Sequence, residues 1–126
     1  MNPAEVVDEF IRRVTSDDLD GALQLVTSDV EYDNVPVGTN IGPEAMRTFL
    51  VQMMAGIDEV VFAVHRQVAT GNTVLNERLD RFRIGDKWLD LPVAGVFEVN
   101  DEGLISLWRD YFDMNTFTER LTAILG

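Results

Sequence analysis

The chain has 126 residues, enough for one domain spanning 1–126 and not comfortably for two. Its formal net charge of −12, from 22 acidic and 10 basic residues, makes a surface that repels phosphate backbones and argues against a nucleic-acid partner. The absence of cysteine excludes disulfides, thiolate metal sites and thiol nucleophiles. No apolar run approaches a membrane span in length, and the opening "MNPAEVVDEF" lacks the basic start and apolar core of a signal peptide. A cytoplasmic protein without a membrane partner is the expectation.

Taken in chain order, "NPAEVVDEFIRRV" predicts a helix, with Asn2 as cap, Pro3 in the first turn and Glu5 close behind. Val6, Val7, Phe10, Ile11 and Val14 give it an apolar stripe at helical spacing. "SDDLDGALQLV" predicts a short second helix capped near Asp17 or Asp18. "VEYDNVP" reads as a short strand ended by Pro36, and "GPEAMRTFLVQMMAGI" as a third helix. The apolar face of that helix comprises Met46, Phe49, Leu50, Met53, Met54 and Ile57.

The remainder is mostly strand. "EVVFAVHRQVA" and "TVLNERLDRFRI" flank the turn "TGN", and Gly85-Asp86 turns into "KWLDLPVAGVFEV". "NDEG" leads into "LISLWRDYFD". A last helix follows, capped by Asp113, with Phe117, Leu121, Ile124 and Leu125 facing inward. Helices segregated from an antiparallel-rich sheet define an α+β protein. The order resembles the nuclear-transport-factor-2-like architecture, in which a curved sheet wrapped by helices makes a cone with a deep pocket.

Strand side chains alternate between two faces. In "NERLDRFRI", Asn76, Arg78, Asp80, Phe82 and Ile84 therefore share a face with Val74, while Glu77, Arg81 and Arg83 fall on the other. Tyr32 and Asn34 share a face with Val30, opposite Glu31 and Asp33. Asp110 goes with Trp108 and Phe112, opposite Ile105, Leu107, Arg109 and Tyr111. Three strands thus each offer polar groups among apolar neighbours. A structural ion pair explains Arg78 and Asp80 taken alone. Convergence of Tyr32, Asn34, Arg78, Asp80 and Asp110 favours a site, because burying two carboxylates beside one guanidinium is expensive. One carboxyl would then stay protonated, giving an acid and a base in one neutral cluster. An epoxide, with an oxygen to protonate and a carbon to attack, fits that pair.

The combination "YDNVP", "ERLD", "GVFEV" and "WRDYFD" closely resembles the limonene-1,2-epoxide hydrolases, over nearly the whole chain. The resemblance implies that Asp80 is the general acid, Asp110 the general base and Arg78 the bridge between them. It implies that Tyr32 and Asn34 position the water, and that Met53, Ile57, Phe82, Leu91, Val93 and Phe112 line the pocket. It further implies a one-step reaction on a mainly apolar epoxide, giving a vicinal diol without metal or organic cofactor, in a homodimer. Trp88 and the outer sheet face are candidates for the dimer contact. The alternatives are a ketosteroid-isomerase-like or polyketide-cyclase-like enzyme, or a non-catalytic small-molecule-binding domain. His65, the only histidine, is expected to be structural or exposed, and the chain lacks a Gly-x-Ser-x-Gly elbow.

Overall fold

The computed structural model describes residues 1–126. Helix α1 (Pro3–Thr15) starts as the sequence predicts: Asn2 Oδ1 accepts from the Glu5 N–H at 2.8 Å, and Glu5 Oε1 accepts from the Asn2 N–H at 3.0 Å. Such a reciprocal cap contributes about 1 kcal/mol. The Val6, Val7, Phe10, Ile11 and Val14 stripe is buried, and α1 packs across the sheet on β3 (Glu59–Thr70), β4 (Thr73–Ile84) and β5 (Lys87–Val99). Helix α2 (Leu19–Leu23) is capped by Asp18. Helix α3 (Pro43–Met54) buries Met46 and Leu50 against β1 (Val26–Asn34) and β2 (Gly38–Ile41). Helix α4 (Met114–Leu125) follows β6 (Ile105–Tyr111), with Asp113 Oδ2 accepting from the Thr116 N–H at 3.0 Å.

One curved sheet runs β2-β1-β6-β5-β4-β3. All neighbours are antiparallel except β1 and β6, which run parallel. The helices wrap its concave side, so the expected α+β cone is what forms. Its core packs Phe10, Tyr32, Phe97 and Trp108 together, with the Trp108 ring stacked 4.3 Å from Tyr32 and 5.9 Å from Phe97.

The structure departs from the sequence expectations in five places. Helix α3 ends at Met54, so Ile57, expected on its apolar face, lies beyond it. The strand expected at "VEYDNVP" begins earlier, at Val26, and ends at Asn34 rather than Pro36. Strand β2 was not expected, because "GTNI" carries no apolar alternation; it is an exposed edge that pairs only with β1. Ile105 was expected beside Leu107 on the outer face and is instead fully buried. The β5–β6 register shifts between Glu98↔Leu107 and Val99↔Ile105, and such a bulge reverses the alternation. Helix α4 faces the sheet but buries no residue fully; Phe117 and Leu121 are half-buried, and Leu125 is mostly exposed. Pro92 is tolerated in β5 because β6 pairs only from Ala94 onward, leaving Pro92 on a local edge.

Candidate active site

Strand β4 alternates without a break, so Val74, Asn76, Arg78, Asp80 and Phe82 are all buried on the concave side. Asp110 and Trp108 reach the same side from β6, and Tyr32 and Asn34 from β1. The parallel β1–β6 register sets Tyr32 beside Trp108 and Asn34 beside Asp110. The five polar residues picked out by alternation therefore meet in space.

Arg78 is the centre of the cluster, with its side chain 0% exposed. Its five N–H groups make five bonds. Nε donates to Asp80 Oδ1 at 3.0 Å, and Nη2 to Asp80 Oδ2 at 2.9 Å and Asp110 Oδ2 at 2.8 Å. Nη1 donates to Asp110 Oδ1 and Asn76 Oδ1, both at 3.1 Å. The guanidinium also lies 5.0 Å from the centre of the Phe62 ring. Asp110 takes a third donor, Trp108 Nε1, at 2.8 Å.

The electrostatics separate these groups. Burial pushes the Asp80 carboxyl up to about 6, reinforced by the Asp110 charge and only partly opposed by Arg78. Burial acts to lower the Arg78 pKa, but Asp110 and Asp80 outweigh it and raise it. Burial, helped by the Asp110 charge, raises the Tyr32 pKa and keeps its hydroxyl a proton donor. Asn34 Nδ2 is buried without a protein acceptor.

Asp80, Asp110, Tyr32 and Asn34 open onto a cavity of about 410 Å³. Of its 22 lining residues 18 are hydrophobic, so its occupant is mainly apolar. Met53, Ile57, Phe82, Leu91, Val93 and Phe112 all line it. Arg78 does not; it sits behind the wall, between the two carboxylates. The lining also includes residues the sequence did not mark as pocket wall, among them Phe49, Phe62, Leu89, and Met114, Phe117 and Leu121 of α4. Sequence reasoning also passed over Asn76, although alternation had put it on the right face, and Gly95. In register, Gly95 lies between Asn76 and Asp110. A methyl group there would overlap Arg78 Nη1 and stand 2.7 Å from Asn76 Oδ1 and 3.0 Å from Asp110 Oδ1. A glycine inside a strand was the available signal of such a close approach. His65 is exposed on β3 and far in kind from this chemistry.

Residues 1–122 match the model of the limonene-1,2-epoxide hydrolase catalytic domain. The chain belongs to the limonene-1,2-epoxide hydrolase family. Among relatives in that family, it is 37% identical over 108 residues to epoxide hydrolase EphG of Mycobacterium tuberculosis, covering 86% of this chain and 71% of that one. The structure of an M. tuberculosis epoxide hydrolase of the same type superposes with a TM-score of 0.83 at 34% identity, covering 98% of this chain and 91% of that one. A putative SnoaL-like polyketide cyclase from Shewanella denitrificans gives a TM-score of 0.86 at 17% identity, covering 96% and 97%; that likeness shows the shared fold alone. The family membership expected from "YDNVP", "ERLD" and "WRDYFD" is borne out. No helix is long and apolar enough to cross a membrane.

Proposed function

We propose that this family member hydrolyses a mainly apolar epoxide to a vicinal diol in one step, with Asp80 as acid and Asp110 as base. The observation that carries this reading is one fully buried guanidinium shared by two buried carboxylates at the wall of an apolar cavity. The hydrogen bonds each carboxylate accepts support these roles. Asp110 accepts three hydrogen bonds and Asp80 two, so the shared proton belongs on Asp80, the carboxyl with fewer donors. A pKa near 6 suits an acid that must give up its proton during the reaction.

Asp110 Oδ1 already receives two donors, leaving Oδ2 with a free lone pair for the water proton. Asn34 Nδ2 and the Tyr32 hydroxyl supply the polar contacts that hold that water. The water oxygen attacks an epoxide carbon while its proton passes to Asp110. The C–O bond breaks as Asp80 protonates the leaving oxygen. Cluster charge is the same before and after, which a low-dielectric site favours. The proton then returns to Asp80 before the next turnover. An isomerase needs one carboxylate base and has no use for a second one bridged by arginine.

The test is a panel of cyclic and terminal epoxides in ¹⁸O-labelled water. A single turnover is expected to put the label in the diol. Label in an enzyme carboxylate would overturn the one-step mechanism, and an inactive wild type across the panel would overturn the substrate class.

A further inference from the structure

Arg78 offers five N–H groups, and the two aspartates take four of them. The fifth goes to Asn76 Oδ1. An amide can present either oxygen or nitrogen, and only the oxygen is useful here. The orientation is fixed from behind. Asn76 Nδ2 donates to Gln67 Oε1 at 3.1 Å, and Gln67 Nε2 donates to Asp8 Oδ1 of α1 at 2.9 Å. Asp8 is an acceptor only and Arg78 a donor only. With one at each end, both amides in the chain can point in only one direction.

The backbone is arranged around this chain. The β3–β4 register shifts between Val64↔Arg78 and Arg66↔Glu77, leaving His65 unpaired. That bulge reverses the alternation of β3 and brings Gln67 opposite Asn76. On the other side, the bare Gly95 leaves room for Arg78, held by Asn76, to reach Asp110 across β5.

We propose that Asn76 is a positioning residue for the hydrolysis site. It fixes the Arg78 guanidinium, and through it the Asp110 carboxylate, and it is itself oriented by Gln67 and Asp8. The kinetic consequence rests on the epoxide-hydrolase reading above; the electrostatic consequence at Asp80 does not.

Asn76→Leu removes the acceptor at similar size, and Asn76→Asp keeps it but adds a charge. Gln67→Met unties the amide at the half-buried end of the chain. In folded Asn76→Leu, kcat is expected to fall tenfold or more with KM within twofold, because the substrate cavity is untouched. Gln67→Met is expected to lower kcat severalfold in the same pattern. In Asn76→Asp, carbon-13 NMR is expected to find the Asp80 carboxyl titrating about one pH unit above wild type, the direction a nearby like charge imposes. Wild-type kcat in Asn76→Leu together with an unmoved Asp80 titration in Asn76→Asp would overturn the assignment. Should Asn76→Leu fail to fold, Gln67→Met and the titration decide the matter. Should wild type turn over no epoxide, the functional reading fails, while the titration still decides whether Asn76 governs the cluster.

Discussion

Arg78 and Arg109 each bind two carboxylates, on opposite faces of one sheet. Arg78 holds Asp80 and Asp110 on the concave face, with side chains 0%, 6% and 6% exposed. Arg109 holds Asp33 at 2.7 Å and Glu31 at 2.8 Å on the outer face, where Arg109 is 34% and Glu31 41% exposed. Each is one guanidinium with two carboxylates at similar distances, and the clusters interleave in sequence, since Asp110 follows Arg109 and Asp33 separates Tyr32 from Asn34. The outcomes differ. At Asp80 burial prevails over arginine and the pKa rises; at Asp33 burial also opposes ionisation, but Glu31, Thr39 and Arg109 outweigh it and the pKa falls. A carboxylate beside arginine is held above its usual pKa, as the proposed proton transfer needs, only when water is excluded from the whole cluster.

Removing one carboxylate from each cluster gives the largest expected contrast. Asp80→Asn and Asp110→Asn are each expected to lower kcat by about a thousandfold, the scale of a lost general acid or base. Asp33→Asn, equally close to an arginine, is expected to leave kcat within twofold. Steady-state diol formation with circular dichroism as the folding check measures all three. Next in size is Gly95→Ala, whose methyl group overlaps Arg78 Nη1. A loss of about 10- to 100-fold in kcat is expected, because a displacement of about 1 Å costs on that scale.

The pH dependence separates the clusters by sign. As the proposed acid, Asp80 has to be protonated, so kcat/KM is expected to fall as pH rises through about 6. Stability follows the same titration. Asp80 holds its proton more tightly folded than unfolded, so ionising it opposes folding. Stability from this group is complete below 3.8 and is lost by about 6. A pKa difference of that size corresponds to about 3 kcal/mol. Urea denaturation of wild type and Asp80→Asn between about pH 4 and 7 is therefore expected to move about 3 kcal/mol in the mutant's favour, whatever fixed cost the amide adds. Asp33 carries the opposite sign. Its folded pKa lies below 3.8, so its contribution is present above that value and is lost as pH falls through the folded one. The gap between wild type and Asp33→Asn is expected to close on acidification. A gap that widens on acidification would mean that exposure does not set the difference between the clusters.

Alternation alone sorted most of these residues. It put Arg78, Asp80, Asp110, Tyr32 and Asn34 together and sent Glu31, Asp33 and Arg109 to the far face, because β4 pairs with β5 in one unbroken register and residues 31–34 of β1 pair without a shift with 107–110 of β6. It failed where a bulge breaks the period. Ile105 lies beyond such a shift, and no residue type in "GLISL" announces one. Strand β2 escaped notice because an exposed edge needs no apolar side chains. Asn76 was visible on the correct face, but its task depends on Gln67 and Asp8, brought to it by tertiary packing.

The smallest expected effect tests the insulating role of the sheet. Arg109→Lys keeps the charge and loses the planar fork that reaches Asp33 and Glu31 together. Partly exposed pairs contribute little, so a stability loss below about 1 kcal/mol is expected, shrinking as salt is added. Turnover is expected to stay within twofold. Arg109 and Asp110 are neighbours on one strand, yet their side chains answer to different solvents. A tenfold kinetic loss in Arg109→Lys would mean that strain on the outer face travels through β6 to the Asp110 carboxylate. The two clusters would then have to be treated as one coupled system.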